Sequence, residues 1–290
     1  MNGREDDPAT YEAAFSLLSY RFAVRTASPS FASLIDRTFG SFRTEQTAGI
    51  PTYELSEDTA SDPPRFRVGR AGNVLLDTDV PERALDVFAW EVMDAATRRC
   101  HDRVLIHAGV VARDGQGIVL PAASGSGKTT LVAGLVAAGF SYLSDEMAAV
   151  VPATGLVAPF SLALSVKAGS FDVLTGLLPD LPADVRRLLD GRVPVRAEDI
   201  RADAHGAPVP ARFVIVPHYQ PGARTRLQPT TRAQGLGELV RNAFNLDRFG
   251  RAGFETLARV VRKASCYRLT VSDLDTAVRT VTEIVADATA

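Results

Sequence analysis

Cysteine is nearly missing from this chain. Cys100 and Cys266 are the two among 290 residues; they stand far apart, and neither has histidine partners at metal-ligand spacing. That pattern excludes a disulfide framework or a structural zinc site and reads as reduced thiols of a cytoplasmic protein. A basic excess is missing as well. Lys and Arg number 32 against 34 Asp and Glu, a formal charge of -2, and the arginines are scattered, so no nucleic-acid surface is expected. No apolar run approaches the roughly 20 residues that span a bilayer. The start, Met1-Asn2-Gly3-Arg4-Glu5-Asp6-Asp7, is acidic and has no signal-peptide core, so no membrane association is expected. Neither internal repeats nor low-complexity tracts occur. What remains is an ordinary globular composition, 46% hydrophobic and 23% charged, long enough for one large domain or for a core with a smaller companion.

The most informative stretch is Leu120-Pro121-Ala122-Ala123-Ser124-Gly125-Ser126-Gly127-Lys128-Thr129-Thr130. Its tail matches the end of the phosphate-binding pattern G-x-x-x-x-G-K-[ST]. Glycines at 125 and 127 let the backbone wrap an anion, so the N–H groups of Ala123 to Thr130 can converge on phosphate. Lys128 reaches the outer phosphates, and the Thr129 hydroxyl is placed for a magnesium ion. Ala122 stands where the pattern has its first glycine, a change that is tolerated if φ there stays negative. The flanks agree with the motif. Gly117–Leu120 is a strand-type run; Leu131, Val132, Leu135 and Val136 recur at helical spacing; Gly139 falls where a left-handed residue ends a helix. Strand, glycine loop and helix together predict a site for ATP with Mg2+.

Two regions are expected along the chain. Residues 1–79 read as a small α+β domain, with strands at Tyr20–Thr26, Pro51–Leu55 and Arg65–Leu76 and a helix over Ser30–Phe39. A helix opened by Pro81 connects, over residues 80–102, to a second domain at 103–290. There, Val104–Ala112 and Gly117–Leu120 flank an Asp114-Gly115 turn, a hairpin signal. With those two residues as the loop, His107 falls opposite Ala122, at the mouth of the phosphate loop. The strand Phe140–Leu143 is expected to lie beside the loop strand, in parallel, and to end at Ser144-Asp145-Glu146 in the crevice that holds the phosphates. Further strands are expected at Arg212–Pro217, Arg224–Gln228 and Tyr267–Val271. Helices are expected at Gln234–Phe244 and Phe254–Arg262, and a capping box at Ser272–Asp275 opens a last helix.

Phosphoryl transfer asks the protein for position and charge neutralisation. The neighbouring Asp145 and Glu146 can divide two tasks: one carboxylate holds magnesium together with Thr129, and the other accepts the proton of an attacking hydroxyl. His107 is placed to hydrogen-bond and tune the basic one.

The order His107-Ala108-Gly109, hairpin, Ser124-Gly125-Ser126-Gly127-Lys128-Thr129, helix, Ser144-Asp145-Glu146 resembles the catalytic domain of HPr kinase/phosphorylase and its kinase-like relatives. The resemblance covers Val104 to Val151. It implies an α/β P-loop kinase domain of the type shared with phosphoenolpyruvate carboxykinase, a mixed sheet with flanking helices. It also implies transfer from ATP to a serine hydroxyl of a protein or peptide. By the match, Asp145 is the base with His107 beside it, Glu146 is the magnesium-side carboxylate, and Lys128 is the phosphate-binding lysine. Thr130 stands where that family usually has Glu, and Val193-Pro194-Val195-Arg196 is a poor counterpart of its glycine-rich Glu/Arg stretch. Both departures point to the divergent relatives, some of which phosphorylate short precursor peptides. Lys167 is read first as a solvated surface lysine and second as a candidate contact to the transferred phosphate. A small-molecule kinase and a nucleotide-gated binding module are the alternatives, and homo-oligomerisation stays open.

Overall fold

Short apolar alternations, each broken by a turn, give the first unit its sheet. The computed structural model describes residues 10–46 and 48–288; the acidic start, Met1–Asp7, lies outside them. Tyr11–Leu17 (β1) and Tyr20–Thr26 (β2) form an antiparallel hairpin, so regular structure begins before the first expected strand. Pro29–Phe39 (α1) follows, capped by the Ser28 side chain accepting from the Phe31 N–H. Then come Arg43–Thr44 (β3), Thr52–Asp58 (β4), Arg65–Arg70 (β5), Asn73–Thr78 (β6) and Pro81–Arg99 (α2). The six strands lie in the order β3-β1-β2-β4-β5-β6, antiparallel except for the β2–β4 pair. Rings of Phe15, Phe22, Phe39, Tyr53 and Phe88 meet edge-on or stacked beneath the sheet. The helix expected as a connector therefore packs within this unit, which runs through Cys100 and also takes in Asp180–Gly191.

The second unit consists of His101–Pro179 and Arg192 onward. Its elements are Val104–Arg113 (β7), Gln116–Pro121 (β8), Lys128–Ala137 (α3), Ser141–Ser144 (β9), Met147–Val150 (β10), Leu156–Ala158 (β11) and Leu164–Lys167 (β12). After Ala183–Arg186 (α4, in the first unit) come Arg192–Val195 (β13), Ala197–Ile200 (α5), Val209–Tyr219 (β14) and Arg226–Pro229 (β15). The chain continues through Arg232–Arg241 (α6), Leu246–Arg262 (α7), Ser265–Val271 (β16) and Leu274–Asp287 (α8). The main sheet runs β11-β10-β7-β8-β14-β16-β15. Because β11 pairs with both β10 and β14, the strands β7, β8, β14, β11 and β10 close a circuit. β12 and β13 form a separate two-stranded ribbon. On one face Val111, Ile118, Ile215 and Leu269 pack with Leu131, Leu135 and Val281 of α3 and α8. On the other, Val110, Val119 and Val214 pack with Leu239 of α6 and Leu257 and Val261 of α7. The chain is thus mixed α/β, with helices on both faces of a mixed sheet. Among the described residues no helix is long and apolar enough to cross a membrane.

The β7–β8 hairpin has the expected register: Ala108 lies opposite Pro121 and Arg113 opposite Gln116, with Asp114 and Gly115 both at positive φ in the turn. The neighbour of β8 differs from expectation. β9 pairs antiparallel with β7, so it lies one strand away from β8, and the parallel partner of β8 is β14. The hairpin explains this: β7 already occupies that edge of β8, and the crossover through α3 must step past it.

Nor does the strand end at Asp145. Ser144 lies opposite Val110 and Met147 opposite His107, three residues apart on both strands, so β9 and β10 are one line along β7. Asp145 and Glu146 occupy the unpaired bend between them. The buried Ser144 hydroxyl holds that bend by accepting from the N–H groups of Glu146 and Met147.

Two helix starts also differ. Asp273, rather than Ser272, caps α8 by accepting from the Thr276 N–H. α7 begins at Leu246 and is broken at Gly250, which is why helical periodicity is visible only after the break.

Candidate active site

The glycine-rich segment expected to bind phosphate joins β8 to α3. Gly125 and Gly127 both sit at φ 85°, a region side chains rarely adopt, and Gly127 is the residue from which α3 starts. Ala122 is not among the positive-φ residues, so the alanine that replaces the pattern's first glycine costs no strain. Ala123, Ser124 and Gly125 are exposed and Ser126 is half-buried, leaving the concave backbone accessible above the helix's positive end. Thr130, one residue past the metal-type threonine, bonds Ser170 through its hydroxyl at 2.7 Å. Lys167, at the end of β12, donates to the Ser124 hydroxyl at 2.9 Å. A second cation therefore reaches the loop from outside it.

Gly109 lets α3 lie this close to β7. A Cβ there would come within 2.7 Å of Val132 Cγ2 and 3.2 Å of Lys128 Cγ. The lysine stem runs over that bare backbone, and its buried ammonium meets His107 Nε2 at 2.9 Å. Burial holds the Lys128 ammonium below the usual lysine range, against the opposing pull of Asp145 and Glu146. With Lys128 donating to Nε2, Nδ1 is the ring nitrogen left to donate. Nδ1 faces the Glu146 carbonyl at 3.1 Å and the Glu146 carboxylate at 3.4 Å. Lys128, His107 and Glu146 thus form a chain of polar contacts across the mouth of the loop.

Asp145 sits apart from that chain. It is 4% exposed, and burial pushes its pKa up to about 6 against the opposing pull of the Lys128 charge and the nearby Thr129 hydroxyl. Burial also pushes Glu146 upward, but the His107 hydrogen bond and the nearby Lys128 and Lys167 charges outweigh it and hold Glu146 low. Adjacent in sequence, the two carboxylates are driven in opposite directions, as expected of groups with separate tasks. All the singled-out residues converge on one place. The pairing inside the cluster differs from expectation: Thr129 meets Asp145 where Glu146 was foreseen, and the direct partner of His107 is Glu146.

Asp145 Oδ1 and Ser126 Oγ are buried and have no hydrogen-bond partner among the described residues. A buried carboxylate oxygen without a partner is costly, and here it lies beside a threonine hydroxyl at a phosphate loop. A carboxylate oxygen and a hydroxyl so placed could hold a magnesium ion that draws its other ligands from water and phosphate oxygens. Among the described residues no group of three or more His, Cys, Asp or Glu side chains could hold a metal.

Sequence reading missed two parts of the site. Asn242–Asn245, after α6, lies along β7 where β8 has departed. His107 N–H donates to Asn242 O at 2.7 Å, Phe244 N–H to Leu105 O at 2.8 Å, and Leu105 N–H to Asn245 Oδ1 at 2.9 Å. This turn sets the half-exposed Phe244 ring edge-on to His107, centroids 5.7 Å apart. On the opposite flank, the Tyr219 N–H donates to Ser126 O at 3.1 Å. Neither segment carries a local motif.

No family model matches the sequence, and no curated protein matches it. Among solved structures, the chain is similar to the HPr(Ser) kinase/phosphatase from Coxiella burnetii, with 10% identity over 63% of this chain and 95% of that one. The TM-score is 0.32, and a likeness that slight carries no argument about this chain.

Proposed function

We propose that this protein is an ATP- and magnesium-dependent phosphotransferase acting on a hydroxyl group, a serine of a protein or short peptide being the acceptor class. The observation that carries the reading is the unpartnered, buried Asp145 Oδ1 beside Thr129 at a glycine loop built for phosphate. Thr129, in the first turn of α3, and Asp145, in the bend between β9 and β10, would hold the ion. Magnesium bound there would supply charge neutralisation for the phosphates. Lys128 and Lys167 bring two further positive charges to the same end of the loop.

Glu146 is the exposed carboxylate, oriented by His107, and takes the acceptor proton. The acceptor oxygen bonds to the γ-phosphorus, the bond from phosphorus to the bridging oxygen breaks, and ADP leaves with that electron pair. Because the transition state is loose, the proton is transferred late and a weak base suffices. Relative to the roles implied by resemblance, this reading exchanges Asp145 and Glu146, following their partners.

Magnesium titrations of transfer to a serine peptide, read as acid-stable phosphate, separate the two arrangements. Asp145→Asn is expected to raise the magnesium requirement by more than tenfold. Glu146→Gln is expected to leave that requirement unchanged while lowering the transfer rate by about 10²-fold or more. The opposite assignment of effects would restore Asp145 as base, and Lys128→Ala with unchanged Mg-ATP affinity would overturn the nucleotide reading.

A further inference from the structure

We propose that Tyr219 is the platform on which the base of the bound nucleotide stacks; the inference rests on the nucleotide reading of the loop. The loop has two flanks. Toward β7 lie Lys128, His107, Asp145 and Glu146, the side where the terminal phosphate is handled. A triphosphate is a linear chain, so with its terminal end committed to that flank the nucleoside must leave by the other. The other flank is β14, the parallel neighbour of β8 on the side away from β7.

At that flank β14 outlasts β8 and continues onto the loop itself, where the Tyr219 N–H donates to Ser126 O at 3.1 Å. A Cβ placed on Gly127 would come 3.3 Å from Tyr219 Cβ, so the side chain leaves the backbone directly against the loop glycine. Tyr219 shares its parity along β14 with Phe213 and Ile215, which enter the core beneath α3. It therefore projects on the sheet face that carries the loop and helix. Beyond the end of the core, however, its side chain is only half covered, at 49% exposed.

The backbone presenting it is fixed from both sides. Tyr219 pairs with Val271 of β16, and the next residue, Gln220, donates its N–H to Val271 O at 2.8 Å. A large aromatic side chain left open to solvent, on a strand end pinned at the rim of a phosphate loop, has the properties of a stacking surface. Stacking uses the π-face that every base has, so it gives affinity with little base discrimination.

The test compares two probes on the full chain by calorimetry, Mg-ATP and Mg-tripolyphosphate, which has no base. Tyr219→Ala is expected to weaken Mg-ATP on the order of tenfold and to leave Mg-tripolyphosphate within about twofold, while Tyr219→Phe keeps the parent affinity for both. Loss of both probes in equal measure would show that Tyr219 only props the loop, and an unchanged Mg-ATP affinity would show that the base lies elsewhere; either overturns the inference. Failure of the parent chain to bind either probe would instead overturn the nucleotide reading on which it rests.

Discussion

At residue scale, Asp145 carries an electrostatic cost that its neighbours only partly offset. Folding buries the carboxylate and lifts its pKa from the ordinary 3.8 to about 6, equivalent to about 3 kcal/mol between the two protonation states. Since the folded chain holds this proton more tightly than the unfolded one, stability falls as pH rises from about 4 to about 6, and the full penalty stands above that window. Asp145→Asn removes the charge while keeping the shape. The variant is expected to be more stable than the parent by up to about 3 kcal/mol at pH 7.5, the difference shrinking as pH falls toward 4. Denaturant unfolding without magnesium or nucleotide, repeated across that range, measures it. A variant less stable than the parent at pH 7.5 would mean that Asp145 is satisfied in the ligand-free fold.

At the scale of elements, the turn after α6 is the clearest case of structure built from distant sequence. Asn245 is wholly buried; its amide accepts from Leu105 N–H and donates to Arg103 O. Asn245→Ala strips Leu105 N–H of its partner inside the core, and the expected cost is about 1–3 kcal/mol in chemical denaturation. A loss below about 0.5 kcal/mol would mean that the turn holds without its clamp.

Residues that act locally are legible in the sequence. The Asp114-Gly115 turn fixes the hairpin register, and the loop with its two glycines announces strand, turn and helix. Where a strand finds its neighbours is not written locally. Nothing in Phe140–Leu143 says that β7 separates it from β8, and nothing in Ser144–Met147 says that the strand resumes beyond its bend. The site was legible as a set of residues, because Lys128, Thr129, His107, Asp145 and Glu146 each sit in or beside a motif. Its internal pairing was not, because adjacent carboxylates diverge and only the three-dimensional surroundings of each decide its partner. Tyr219 and Asn245 were invisible for the same reason.

At the scale of the molecule, two units each carry their own core, one rich in aromatic rings and the other aliphatic around α3 and β7. The small net charge and unremarkable composition say little about either; the organisation lies in which strands meet. β7 receives β8 from a tight turn, β9 and β10 from beyond a helix, and Asn242–Asn245 from about 140 residues downstream. Such distant closures delay folding, since chain entropy is lost before the contacts repay it. His107 lies where those arrivals meet, so the surroundings of its contact with Lys128 are expected to be completed only when the last of them docks. During refolding, affinity for a fluorescent ATP analogue is therefore expected to return in the slowest phase, after most of the far-ultraviolet signal. Simultaneous recovery in stopped-flow experiments would show that the loop becomes competent earlier. On the function proposed above, a half-made chain that already owns the glycines of its loop, Gly125 and Gly127, would not yet sequester nucleotide: competence would be timed by the strand that waits longest for its last neighbour.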